Sequence, residues 1–82
     1  MEEIVTIGDL KTGDGFIVRG VELSRETGKR LADMGFTQGV EGKVVRKALF
    51  GDPFQVSILG YQVTIRKSEA DGVTVEPRTA DR

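Results

Sequence analysis

Two runs in the second half of the chain alternate apolar and polar residues. Phe54, Val56 and Ile58 alternate with Gln55, Ser57 and Leu59; Tyr61, Val63 and Ile65 alternate with Gln62, Thr64 and Arg66. Successive side chains of a strand point to opposite faces, so a period of two predicts two strands that each bury one face. Leu59-Gly60 between them is short enough for a tight hairpin turn. Residues 16–21 read as a first full strand. A turn cluster, Lys11-Thr-Gly-Asp-Gly15, precedes it, and before that come Ile4, Val5, Ile7 and Leu10, a short strand and turn. Residues 40–49 are rich in β-branched side chains and read as a strand. Gly42 inside it suggests a bend or bulge. Phe50-Gly-Asp-Pro53 is a turn, Ser68-Glu-Ala70 a helical turn, and Val73 with Val75 a last short strand. Residues 77–82 read as a polar, frayed tail.

The period changes between the first two long strands. Leu23, Leu31 and Met34 fall near one face of a helix running from about Arg25 to Met34. Ser24 is placed to cap it, and Glu26 puts a negative charge in its first turn. Gly28 weakens it by roughly 1 kcal/mol relative to alanine, so the helix depends on tertiary packing. Gly35 suits the left-handed position just past the helix end, and Phe36 can then fold back on Leu31. Gly39 opens the next strand, and Gly60 serves the hairpin turn. Gly35, Phe36, Gly39 and Gly60 are therefore read as architectural residues.

Five to six short strands with one short α-helix after the first long strand predict a mainly β fold. A small, partly open SH3-like barrel is the first choice and an OB-like barrel the second, because curling a small sheet hides its edges. The barrel is expected over 3–76, followed by the tail at 77–82. No internal repeat is present.

Composition narrows the chemistry. With 82 residues, 38% of them hydrophobic and none tryptophan, the chain suffices for one domain with a modest core. No run approaches the roughly 20 apolar residues of a membrane span. The opening Met-Glu-Glu lacks the basic and apolar regions of a secretory signal, so a cytoplasmic protein that is not membrane-inserted is expected. The chain has neither cysteine nor histidine. That removes thiolates and imidazoles as metal ligands and the usual general base near neutral pH. Asp14, Asp52 and Asp71 are each accounted for by turns. Gly13, Gly15 and Gly39 form no phosphate loop, since the GxxxxGK[ST] pattern is absent. No spacing picks out a nucleophile with a base or a split carboxylate pair. No catalytic residue, no metal ligand and no cofactor are expected.

A binding role remains. Arg46-Lys47 and Arg66-Lys67 would form one basic patch if their strands were neighbours. A formal net charge of −1 argues against nucleic acid as the main partner, and Arg66 could pair with Glu69. Leu49 and Phe50 precede the Gly-Asp-Pro turn, and Leu59 lies on the outward phase of its strand. Exposed together with Met34, they could seat a partner peptide. An open barrel edge could also add a strand from a partner.

Three blocks of the sequence resemble the FeoA family, small cytoplasmic accessory proteins of bacterial ferrous-iron transport. They are Leu10-Lys-Thr-Gly-Asp, then Leu31-Ala-Asp-Met-Gly-Phe-Thr-Gln-Gly-Val40, then the stretch from Gly51-Asp-Pro through Gly60-Tyr61 to Arg66 and Ala70. Their order and spacing cover residues 10–75. The resemblance implies an SH3-like barrel, no catalytic site, and a non-catalytic interaction role in iron uptake. Its implied partner is FeoB, the membrane transporter with a cytoplasmic G-domain, which such a module would dock on and modulate. Taken with the apolar surface read above, the candidate partner-binding residues are Leu49, Phe50, Leu59, Tyr61 and Arg66. Arg66, at the matched family position, is a conceivable arginine finger toward a GTPase. Two alternatives stand beside it. One is a small nucleic-acid-binding β-barrel, suggested by Gly39-Val-Glu-Gly-Lys-Val-Val. The other is a regulatory module related to the C-terminal domain of diphtheria-toxin-repressor-type metal regulators.

Overall fold

The computed structural model describes residues 4–78. Six strands are present: β1 Val5–Thr6, β2 Gly15–Val21, β3 Glu41–Lys47, β4 Phe54–Ile58, β5 Tyr61–Ile65 and β6 Val73–Arg78. Helix α1, Arg25–Asp33, lies between β2 and β3, and the one-turn helix α2, Lys67–Ala70, between β5 and β6. The strands form one antiparallel sheet in the order β1-β6-β2-β3-β4-β5, which is not closed. Its two edges are β1 and β5. The mainly β, SH3-like expectation therefore holds. No helix among the described residues is long and apolar enough to cross a membrane.

The period-two pattern sets which face is buried. Phe54, Val56, Ile58 and Ile65 join Phe16, Val18, Val44, Val73 and Val75 on the inner face, all at most 1% exposed. Helix α1 contributes Leu31, and the segment after it Phe36, to the same cluster. The Ser24 hydroxyl accepts from the Thr27 N–H at 3.3 Å, the expected N-cap. At the other end the Phe36 N–H donates to the Leu31 carbonyl and the Gly35 N–H to the Ala32 carbonyl, both at 3.0 Å. This pair of bonds is the Schellman motif, with Gly35 at φ 114°. Gly39 has φ 91°, and its N–H reaches the Val18 carbonyl at 2.8 Å.

Three expectations are revised. The bulge in β3 lies between Val44 and Arg46, away from Gly42. Gly42 has a packing reason instead: a Cβ there would lie 2.5 Å from the Phe16 ring. The strand expected over 40–49 is shorter, because a 3-10 turn over Leu49–Gly51 interrupts it. Pro77 and Arg78 belong to β6, opposite Phe16 and Gly15, where a frayed tail is expected. Proline is tolerated near a strand end, since only one ladder donor is lost. Residues 79–82 lie outside the described part, as do residues 1–3.

Candidate functional site

The candidate residues gather at the two ends of the β4–β5 hairpin. At its closed end Leu59 and Gly60 have φ 53° and 85°. Two consecutive positive φ values give the type I′ turn that matches strand twist. Leu59 is 59% exposed and Tyr61 48%. The Tyr61 hydroxyl donates to the Met34 carbonyl at 2.7 Å, meeting a carbonyl that the end of α1 leaves free. A Cβ added to Gly35 would lie 2.7 Å from Leu59 Cδ1. Leu59 therefore covers the helix exit, and Gly35, Phe36, Gly60, Leu59 and Tyr61 form one assembly.

At the open end, Phe50 has φ 66° and is 99% exposed. A non-glycine residue in that conformation holds backbone strain of about 1–2 kcal/mol. The side chain of Leu49 lies outside the described part. Asp52, before the cis bond to Pro53, accepts from the Lys67 N–H at 3.0 Å and ties the turn to α2. Arg66 is exposed at the end of β5 and lines a groove with Thr27, Arg30, Pro53, Thr64 and Glu69. Arg66 is a solvated strand end, and the alternative of an Arg66–Glu69 side-chain pair is replaced. Glu69 accepts from the Arg66 main-chain N–H at 2.8 Å, and its other oxygen pairs with the Arg30 guanidinium. Sequence reading named Glu69 but missed its burial, 8% exposed, and its role as a cap. The available signal was an acid three positions into a one-turn helix, where it can reach back to the residue that caps it.

Of the apolar patch expected from Leu49, Phe50, Leu59 and Met34, Phe50 and Leu59 do not share one surface. Phe50 precedes β4 and Leu59 follows it, and five strand residues at about 3.3 Å each put the two ends roughly 15 Å apart. The basic patch also separates, because β4 lies between β3 and β5. Lys47 Nζ sits 4.9 Å above the Phe54 ring, and Lys67 pairs with Asp71 at 3.0 Å. Arg46 stays exposed and lines a second groove with Pro53, Gln55 and Thr64. Phe16, Phe36 and Phe54 are buried, leaving Phe50 and Tyr61 as the exposed aromatics. Among the described residues no three acidic side chains cluster as ligands for a metal ion.

Comparison with known proteins adds what the geometry leaves open. The family model "FeoA domain" matches residues 5–77. A Porphyromonas gingivalis fusion of Fe(2+) transport protein A with the Fe(2+) transporter FeoB is 34% identical over 70 residues. That match covers 85% of this chain, which spans only 8% of the fusion's length. The solution structure of a Chlorobium tepidum FeoA protein is 36% identical and superposes with a TM-score of 0.86, over 95% of this chain and 74% of that one. The crystal structure of Stenotrophomonas maltophilia FeoA complexed with zinc is 26% identical, with a TM-score of 0.80, over 94% and 99% of the two chains. It is described as a procaryotic SH3 domain protein and a candidate activating factor for ferrous-iron transport.

Proposed function

The chain belongs to the FeoA family, and from that membership we propose that it is a non-catalytic cytoplasmic module that docks on a FeoB-like transporter and modulates it. One observation carries the reading: in the P. gingivalis relative the matching domain and FeoB are parts of one polypeptide. A fusion supplies proximity between its parts, and where the two lie on different polypeptides affinity has to supply it. The surface supports such a role. Phe50 is a protruding aromatic with strain in its backbone, and solvent exposure alone gives no reason for either. Arg66 at the same end adds an exposed cation, and Leu59 with Tyr61 forms a smaller contact at the other end.

Titration of the chain against the isolated cytoplasmic part of a FeoB-like transporter tests the reading. Binding is expected at tens of micromolar or tighter, about 6 kcal/mol or more. A change in GTP hydrolysis on adding the chain would support modulation. Absence of binding at several hundred micromolar overturns the docking role. Binding with unaltered hydrolysis and unaltered transport confines the role to attachment.

A further inference from the structure

Sheet edges are normally blunted, by short strands, by lysine or proline, or by bulges. The edge at β1 follows this rule, being two residues long. The edge at β5 does not. β5 has five residues, Tyr-Gln-Val-Thr-Ile, without charge or proline, and pairs with β4 in continuous register. Four of the five are residue types that favour strands. In a hairpin closed by a two-residue turn, Ile58 and Tyr61 form a hydrogen-bonded pair, followed at alternate positions by Val56–Val63 and Phe54–Ile65. The main-chain N–H and C=O of Gln62 and Thr64 therefore point away from β4. Among the described residues nothing hydrogen-bonds to them.

The charge beside this edge has one sign left over. Arg66 follows β5 directly, and Arg46 lies in the row Arg46–Gln55–Thr64 across β3, β4 and β5. Neither makes an ion pair among the described residues. The nearby acids are engaged: Glu69 with Arg30, Asp71 with the Lys67 ammonium, and Asp52 with the Lys67 main-chain N–H. Thr64 lines a groove shared with Arg30 and Arg66, and a second shared with Arg46.

We propose that β5 takes up an extended acidic segment of a partner protein as a seventh strand. Gln62 and Thr64 supply the main-chain hydrogen bonds, and Arg46 and Arg66 receive the carboxylates. The open edge spans Gln62 to Thr64, with Tyr61 before it and Arg66 after it, and so lies between the two clusters of candidate residues as one binding track. The inference rests on the reading of the chain as a docking module and narrows what it docks.

The test uses the isotope-labelled full chain and an acetylated, amidated (Glu-Val)4 peptide, followed by NMR. The Gln62 and Thr64 amides are expected to shift most, with hydrogen exchange slowed at least tenfold at saturation. The Arg46→Gln/Arg66→Gln double variant should bind at least tenfold more weakly with its melting temperature unchanged. Two N-methylated peptides, one methylated on the valines and one on the glutamates, keep the charge, and one of them should lose binding. Equal binding by both, equal binding of a (Lys-Val)4 peptide, or shifts centred outside β5 would overturn the proposal. Protection of the same amides by concentration-dependent dimerisation, without peptide, would assign the edge to a second copy and overturn it as well. If the peptide fails while the transporter's cytoplasmic part still binds, the edge assignment falls and the docking role stands.

Discussion

At the scale of single residues, backbone conformation separates folding from docking. Gly35 combines φ 114° with the near contact of Leu59 Cδ1. Replacement by Val adds both a left-handed penalty and a clash, and should cost about 2 kcal/mol or more. Urea unfolding checks this: the midpoint should fall with the slope unchanged, and a retained midpoint would show that the helix exit is not strained by a side chain. Phe50 is the opposite case. Its side chain is 99% exposed, so Phe50→Gly removes little packing and relieves a positive φ. That variant should be as stable as the parent or up to about 1 kcal/mol more stable. It should also bind the transporter's cytoplasmic part at least fivefold more weakly. Weaker docking with unchanged melting would mark Phe50 as a contact; unchanged docking would remove it from the surface.

At the scale of elements, the structure depends on ties between pieces that are weak alone. Helix α1 carries Gly28 and has nine residues, too few to be stable in isolation. It is held by Leu31 in the core, by Tyr61 at its C-terminal end, and by Arg30 on Glu69. Removing the Tyr61 hydroxyl as Tyr61→Phe should cost about 0.5–1 kcal/mol, since the bond is partly open to water. Thermal unfolding of the variant would expose a larger loss as a packing effect. Glu69 matters more because it is nearly buried and serves two donors. Glu69→Ala should cost about 2–3 kcal/mol, with the Arg66 N–H losing its partner. Glu69→Gln keeps an acceptor for that N–H and should cost clearly less. Arg30 is about half exposed, so its coupling to Glu69 in a double-mutant cycle is expected near 1 kcal/mol. Coupling close to the full cost of Glu69→Ala would show that the ion pair, rather than the cap, holds α2.

At the scale of the whole molecule, the sheet is asymmetric. One edge is cut short at β1, and the other runs its full length at β5 with unused main-chain groups. The basic residues follow the same logic. Lys47 and Lys67 are engaged on the fold, while Arg66 is left outward at the end of the open edge and Arg46 across the groove it shares with Thr64. A protein arranged this way should associate more weakly with acidic partners as salt rises, because exposed charges are screened beyond about 10 Å at 0.1 M salt. Raising salt from 50 to 500 mM should lower affinity for the transporter's cytoplasmic part severalfold, mainly through slower association. A salt-independent affinity would place the contact on Phe50, Leu59 and Tyr61 and remove the arginines.

Local patterns determined the elements. Alternation in 54–66 gave two strands and their buried face, because strand geometry fixes side-chain direction by parity alone. Gly35-Phe36 gave the helix exit, because a left-handed C′ residue and a returning apolar residue are properties of adjacent positions. The three spaced blocks carried the family resemblance for the same reason: turns recur at set distances along the chain. What needed the tertiary structure was whatever depends on strand order. The sequence allowed Arg46 and Arg66 to be neighbours, and β4 placed between them parts them. It allowed Phe50 and Leu59 to share a patch, and the length of β4 puts them at opposite ends. It offered Arg66, three positions away, as a partner for Glu69; the ion pair instead crosses from α1 to α2. The open edge at β5 is likewise invisible in its own five residues, since whether a strand is central or terminal is decided by where the other strands pack.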